Sequence, residues 1–168
     1  MPRVSDLSDA RRRILIICHA NVSRSIIAEA LLKKMLADRG RDDVTVSSGG
    51  IAPYARDSSL VSMDARLVLR DDAIEISPDA TACDLKRDRH RLVEADLIVT
   101  MTAEQKHMLA DFPEAFGKDI VTLPEAAGEV GDVEDPAGRD DDYYRACRDQ
   151  IRRCLEKAID RLAPPPGM

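Results

Sequence analysis

One stretch, residues 13–35, constrains the fold more than any other part of the chain. Residues 14–17 form a continuous, mostly β-branched apolar run, which is typical of a strand covered on both faces. From Ser25 onward the period changes, and apolar residues recur at every fourth position, as on one face of a helix: Ile27, Leu31 and Met35. Gly40 is a helix-ending residue. The stretch therefore predicts a buried strand, a tight polar loop and an amphipathic helix.

The loop between this strand and this helix, residues 18–25, has the composition of an oxyanion site. It ends at a helix N-terminus, where unpaired backbone N–H groups and the helix dipole favour an anion. Cys18 stands at its start, where the same field favours the thiolate, the nucleophilic form of cysteine. Arg24, six positions on, has a planar charged fork that can hold two oxygens of a phosphate. The loop predicts a cysteine nucleophile beside a phosphate cradle; the alternative for Cys18 is a buried, inert thiol.

The spacing of cysteine and arginine does not identify the nucleophile, because it occurs three times. Cys83 and Cys147 also have an arginine six positions on. Cys147 lies in a long helical pattern and, like Cys154, is predicted to be a small core residue. Cys83 precedes a charged segment and does not follow an apolar strand. Only Cys18 has a strand before it and a helix after it, so Cys18 is the predicted nucleophile.

Three further strands are predicted, at residues 44–47, 95–101 and 120–123, with helical patterns between them. One such helix is predicted from about residue 59, with these residues on its buried face: Leu60, Met63, Leu67 and Val68. A short surface helix is predicted at residues 84–93. Because strands and helices alternate, we expect an α/β fold, a four-stranded parallel sheet with helices on both faces.

Length and composition limit the class of protein. The 168 residues are enough for one domain, predicted at residues 13–163 between an N-terminal tail, 1–12, and a C-terminal tail, 164–168. A net charge of −6 argues against a nucleic-acid partner, and the five-residue apolar run after Arg13 is too short to cross a membrane. Four unevenly spaced cysteines fit neither a zinc site nor a disulfide framework. We expect a cytoplasmic protein without metal, membrane or nucleic acid.

The acid-rich loop before the last helix, residues 128–142, offers candidate proton donors. Cleavage of a phosphate ester by a thiolate needs an acid for the leaving group. Asp135 is the only aspartate followed by proline, and Pro136 restricts its backbone. The loop contains other acids, most of which are expected to be solvated: Asp132, Glu134, Asp140, Asp141 and Asp142. In parallel sheets, ligands bind outside the carboxyl ends of the strands, where the loops after strands one, two and four meet. Four residues that are distant in sequence can therefore converge there: Cys18, Ser48, Tyr54 and Asp135.

Several motifs resemble those of the low-molecular-weight protein tyrosine phosphatases. Residues 18–25 resemble the signature loop, which Ala28-Glu29-Ala30 continues. Ser48-Gly49-Gly50 resembles the turn after strand two, and Asp135-Pro136 resembles the general-acid motif. The similarity runs in the same order from about residue 13 to residue 162. It implies a phosphotyrosine-phosphatase-I-like fold with the flavodoxin-like strand order 2-1-3-4, and an enzyme with no metal or organic cofactor.

The resemblance also implies roles for individual residues. Cys18 would attack phosphorus and form a cysteinyl-phosphate, Arg24 would hold the phosphoryl group, and Asp135 would protonate the leaving group. The other residues of the loop would surround the phosphate or another oxyanion: His19, Ala20, Asn21, Val22, Ser23 and Ser25.

The supporting residues have more than one interpretation. Asn21 suits a turn with positive φ and, by resemblance, would brace the loop with Ser48 as partner. Ser25 could donate a hydrogen bond to the thiolate, cap the helix, or do both. His19 is expected at the mouth of the loop rather than as a catalytic base. Tyr54 is expected either to form a wall of the substrate cleft or to pack over the loop.

The resemblance leaves the phosphorylated side chain open between two candidates. Phosphotyrosine in proteins is favoured, because Val22 matches the bulky aliphatic residue of phosphotyrosine enzymes, whereas phosphoarginine enzymes carry threonine. Phosphoarginine is the alternative, because residues 131–138 lack the aromatic residues that many members place after Asp-Pro. Arsenate reduction is less favoured, since it needs two further cysteines and position 90, seven beyond Cys83, is histidine. A monomer or weak dimer is expected.

Overall fold

The computed structural model describes residues 11–165. Their parallel sheet has four strands, β1 (Arg12–Cys18), β2 (Val44–Gly50), β3 (Leu97–Thr100) and β4 (Asp119–Thr122), in the order β2-β1-β3-β4. This confirms the predicted sheet and its order. The tails predicted at residues 1–12 and 164–168 fall largely outside the described residues, so that division of the chain stays a prediction.

Six α-helices connect or flank these strands within the described range. They are α1 (Arg24–Asp38), α2 (Met63–Arg70), α3 (His90–Glu94), α4 (Ala103–Met108), α5 (Leu123–Ala126) and α6 (Asp141–Leu162). Two short 3-10 turns, Leu109–Asp111 and Pro113–Ala115, lie between α4 and β4.

The sheet is buried on both faces, which explains the continuous apolar run in β1. Successive side chains of a strand point to opposite faces. Ile14 and Ile16 enter a core beneath α1, α2 and α6, whereas Leu15 and Ile17 enter a second core with residues of α3, β3 and the 3-10 turns. All four are at most 1% exposed, and each such side chain contributes about 1.5–3 kcal/mol of burial free energy. The central strand therefore fixes where its last residue, Cys18, lies.

The helix predicted from residue 59 begins later and presents a different face. Its first residue is Met63, and Ser62 caps it by accepting a hydrogen bond from the backbone N–H of Ala65 at 3.4 Å. The buried residues of α2 are Ala65, Val68 and Leu69. The prediction was right for Val68 and wrong for the other three residues, which are exposed: Leu60, Met63 and Leu67.

The segment predicted as a surface helix at residues 84–93 is helical only in α3, at its end. Before α3 the chain pairs with the sheet edge through a bridge between Asp84 and Gly50. The backbone N–H of Asp84 also donates to the Asp57 carboxylate at 2.6 Å. These long-range contacts hold the segment in turns and prevent an earlier helix.

Across residues 11–165, none of the helices combines the length and the apolar character that crossing a bilayer requires.

Candidate active site

The loop between β1 and α1 wraps closely around the carboxyl end of the central strand. Asn21 has φ of 61°, the left-handed conformation expected from the sequence, and its backbone N–H points to Cys18 Sγ at 3.3 Å. Gly50, which pairs with Cys18 across the sheet, leaves room for this wrap. A Cβ atom at Gly50 would lie 2.7 Å from the carbonyl oxygen of His19, so any side chain there would displace the loop.

Cys18 is buried, and its sulfur lies within hydrogen-bond distance of the Ser25 hydroxyl. The two side-chain atoms, Sγ and Oγ, are 2.9 Å apart. The Ser25 oxygen already accepts a hydrogen bond from Asn21 Nδ2 at 2.8 Å, so its own proton is free to point at the sulfur. The structure shows no side-chain capping bond from Ser23 at the start of α1.

Asn21 uses both ends of its buried amide to hold the loop. Nδ2 donates to Ser48 Oγ at 2.8 Å in addition to Ser25, and Oδ1 accepts from the backbone N–H of Cys83 at 2.8 Å. Ser48 in turn donates to the Glu29 carboxylate. A chain of hydrogen bonds thus runs from Glu29 through Ser48 and Asn21 to Ser25, and ends at the nucleophile.

The buried Arg24 side chain connects the phosphate loop to the acid-rich loop. Nη1 donates to the carbonyl oxygen of Val133 at 2.9 Å. Nη2 lies 3.2 Å from His19 Nδ1 and 3.7 Å from Asp135 Oδ2. Since a guanidinium has five N–H donors, these contacts leave others for the oxygens of an anion in the loop.

Asp135 lies at the mouth of the site on a loop that is anchored at the two residues Asp132 and Val133. The buried Val133 donates its backbone N–H to the carbonyl oxygen of Met101 at 2.9 Å. Two residues on, the Asp135 side chain is 53% exposed, and its Oδ1 accepts from the backbone N–H of Ala137 at 3.0 Å. A carboxyl in this position can exchange protons with solvent while it faces the phosphate loop.

His19 and Gln105 form a contact that the sequence did not indicate. Gln105 Nε2 lies 2.9 Å from His19 Nδ1, and Glu104 Oε2 lies 3.7 Å from His19 Nε2. The only sequence signal at Gln105 is a capping box that begins at Thr102, and that box is present. No role was predicted for the Glu29 side chain either, although the motif Ala28-Glu29-Ala30 contains it.

The remaining predicted site residues divide between the loop and its surroundings. Ala20 and Val22 are partly exposed at the loop, and Ser23 is buried. Tyr54 is 63% exposed.

The other cysteines differ from Cys18 in their surroundings. Cys147 and Cys154 are buried in the core, as predicted, and burial raises the pKa of Cys147 to about 12. Burial also raises the pKa of the half-buried Cys83. Within residues 11–165, the His, Cys, Asp and Glu side chains form no cluster of three that could hold a metal ion.

Comparison with known proteins points to the same family that the sequence motifs resemble. The family model of low molecular weight phosphotyrosine protein phosphatases matches residues 13–164. A protein-arginine-phosphatase of Geobacillus stearothermophilus is 35% identical over 152 residues, covering 90% of this chain and 93% of that protein. The low molecular weight protein-tyrosine-phosphatase PtpB of Staphylococcus haemolyticus is 34% identical, covering 86% and 96%.

Solved structures agree with the fold. The YwlE arginine phosphatase from Geobacillus stearothermophilus superposes with a TM-score of 0.76 at 32% identity, covering 90% of this chain and 92% of that one. A low molecular weight protein tyrosine phosphatase from T. tengcongensis gives 0.79 at 28% identity, covering 89% and 99%. The chain is therefore a phosphatase and belongs to the low molecular weight phosphotyrosine protein phosphatase family.

Proposed function

We propose that this phosphatase hydrolyses phosphotyrosine in proteins through a cysteinyl-phosphate intermediate. The observation that carries the proposal is the convergence of Cys18, Arg24 and Asp135 at one edge of the sheet, with Arg24 Nη2 3.7 Å from Asp135 Oδ2. This convergence supports a nucleophile, an anion-binding group and a proton donor acting around one volume. That is the set of groups that phosphoryl transfer to a thiolate requires.

The first chemical step forms a bond between Cys18 Sγ and phosphorus and breaks the bond from phosphorus to the phenolic oxygen. Asp135 gives its proton to that oxygen, so tyrosine leaves as a neutral phenol. In the second step Asp135, now a carboxylate, takes a proton from water, and the water oxygen attacks phosphorus. The phosphorus–sulfur bond breaks, and inorganic phosphate and the thiolate are regenerated.

The phosphate cradle combines backbone and side-chain donors. The N–H groups of the loop and the first turn of α1, a helix of 15 residues, face an anion held above Cys18. Arg24 adds a positive charge, and its interaction with the phosphoryl oxygens strengthens as the phosphoryl group becomes trigonal in the transition state. His19, Ala20, Asn21, Val22, Ser23 and Ser25 complete the loop around that anion, with Ser48 and Tyr54 at its periphery.

A second candidate substrate, phosphoarginine, has support of its own. The relative of 35% identity from Geobacillus stearothermophilus is a protein-arginine-phosphatase. Val22 favours phosphotyrosine, because it is partly exposed at the loop and has the shape of threonine without a hydroxyl for orienting water or contacting a guanidinium. We weight Val22 more than the loop of residues 131–138, because in the proposed mechanism Val22 would lie nearest the phosphorus.

Two measurements test the proposal. Cys18→Ser should fold and bind phosphate but lose all but about a hundredth of the activity, because the covalent nucleophile is gone. Turnover of phosphotyrosine and phosphoarginine peptides should favour phosphotyrosine, and Val22→Thr should raise the ratio toward phosphoarginine. A wild type that prefers phosphoarginine, with a ratio that Val22→Thr leaves unchanged, would refute the weight given to Val22.

The proposal includes the setting in which the enzyme works. Its partner is a phosphorylated protein, its domain spans residues 13–163, and it acts in the cytoplasm as a monomer or weak dimer. The reducing compartment is supported by four cysteines without disulfides among the described residues.

A further inference from the structure

The side-chain amide of Gln105 has only one orientation that satisfies its surroundings. Gln105 is fully buried, and its Oε1 accepts from the backbone N–H groups of Met101 at 2.9 Å and Thr102 at 3.2 Å. If the amide were flipped, two N–H donors would face an NH2 group. Nε2 is therefore the atom that faces His19 Nδ1 at 2.9 Å, and it can only donate.

The orientation of Gln105 fixes the protonation of the His19 ring. Because Nδ1 accepts a hydrogen bond from Gln105, it carries no proton itself, and the ring proton is on Nε2. The second group at Nδ1 is also a donor, Arg24 Nη2 at 3.2 Å. The Nε2 proton points toward Glu104 Oε2 at 3.7 Å, and the Glu104 side chain is 76% exposed.

We propose that His19 is a positioning residue for Arg24, and that it acts only as the neutral Nε2–H imidazole. This inference rests on the phosphatase mechanism proposed above. With Nδ1 as an acceptor, His19 holds one arm of the guanidinium, while the carbonyl oxygen of Val133 holds the other. The plane of Arg24 is thereby set before substrate arrives.

Protonation of His19 would turn this contact from attraction into repulsion. The imidazolium would present an N–H to two donors, Gln105 Nε2 and Arg24 Nη2, and would place a positive charge beside a buried positive charge. The charged groups facing the ring are Arg24 from α1 and Glu104 from α4, with Asp135 beyond Arg24. Glu104 is the only one of these in reach of Nε2, and solvent screens it. Activity should therefore fall on the acid side as His19 gains a proton.

Three variants separate positioning from a general structural role. His19→Leu removes the acceptor, and we expect kcat/KM for para-nitrophenyl phosphate to fall about tenfold at neutral pH, the effect of one hydrogen bond to a charged group. His19→Asn places an amide oxygen close to the position of Nδ1 and should recover most of that loss. Because Asn does not titrate, its pH profile should lack the acid-side limb that His19 adds.

Gln105→Glu tests the link between the amide and the ring. Glutamate preserves the capping box but offers His19 an acceptor instead of a donor. It should move the ring proton to Nδ1, shift the acid-side limb to higher pH and lower kcat/KM at neutral pH. His107→Leu is the matched control, since His107 is exposed on the same helix and should leave the profile unchanged.

Nitrogen-15 NMR of the imidazoles gives a readout that does not depend on activity, and the chain has only three histidines. His19 should show an unprotonated Nδ1 in the wild type and a protonated Nδ1 in Gln105→Glu. Wild-type Nδ1 protonation, or identical pH profiles for wild type and His19→Asn, would overturn the proposal. If the wild type had the expected tautomer but no phosphatase activity, the proposed function would fail and the role of His19 in catalysis would fail with it, while the tautomer assignment would stand.

Discussion

Replacing Ser25 with alanine removes the hydroxyl that points at the nucleophile. Ser25 is fully buried, and its Oγ is 2.9 Å from Cys18 Sγ. A hydrogen bond to a charged group contributes about 1.5–3 kcal/mol. At about 1.4 kcal/mol for each factor of ten in rate, Ser25→Ala should lower kcat/KM by roughly 10- to 150-fold. The same change leaves Asn21 Nδ2 without one acceptor, and should lower the free energy of unfolding by about 1–3 kcal/mol.

The assay must distinguish loss of the sulfur contact from loss of stability. We would measure kcat/KM for para-nitrophenyl phosphate, the rate of inactivation by iodoacetate and urea unfolding on the same samples. Thr122→Ala is the control, because it removes a buried capping hydroxyl that accepts from the backbone N–H of Glu125 at 3.1 Å, at a cost of about 0.5–2 kcal/mol. Thr122→Ala should keep its activity. If Ser25→Ala keeps kcat/KM within a factor of three, or both variants lose activity equally, the proposed role of the hydroxyl is wrong.

Three further outcomes are expected. Asp135→Asn should slow poor leaving groups most and activated aryl phosphates least, because only the former need a proton; equal losses across the series would remove Asp135 from the acid role. Peroxide should convert Cys18 to sulfenic and higher acids without a disulfide inside the loop, and a Cys18–Cys83 link in mass spectra would instead support the reductase alternative. Hydrogen bonds from Arg153 and a neighbouring lysine lower the pKa of Glu129 from its ordinary 4.5 to about 2. Since the lowered value belongs to the folded state, the stabilisation is present above about pH 4.5 and lost as pH falls toward 2. Glu129→Gln should therefore lower Tm at pH 7 but much less near pH 2.5, and an equal difference at both would count against this ion pair.

The sequence predicted those parts of the fold whose local pattern allows one solution. The apolar run in β1 can be buried only between two layers, and the change of period after Ser25 can only be a helix. The helix α2 shows the opposite case. Its sequence contains two overlapping apolar faces, and the contacts that select Ala65 and Leu69 over Met63 and Leu67 come from distant segments. One of them is the hydrogen bond from the backbone N–H of Ser62 to the carbonyl oxygen of Val22 at 2.9 Å.

The same limit applies to the site. The side chains of the loop could be assigned because they are adjacent in sequence and have distinctive chemistry. Several of their partners are main-chain atoms, such as the N–H of Cys83 and the carbonyl oxygen of Val133, and every residue type except proline provides both groups. The contact of Gln105 with His19 could not be predicted for a related reason. Its capping box explains the residue completely, and only the packing of α4 against the loop shows that its amide also reaches His19.

The bond from Arg24 to the carbonyl oxygen of Val133 has a consequence for how such an enzyme can evolve. A main-chain acceptor is kept whatever side chain stands at that position, provided that the residue stays buried. The exposed residues beyond Asp135 and Pro136, up to Asp140 at the start of α6, can therefore change in length and composition while the phosphate-binding arginine retains its anchor. Phosphate binding by Arg24 is thus separable from the composition of this segment. New specificities can arise by exchange of this segment, without an intermediate that has lost the ability to bind phosphate.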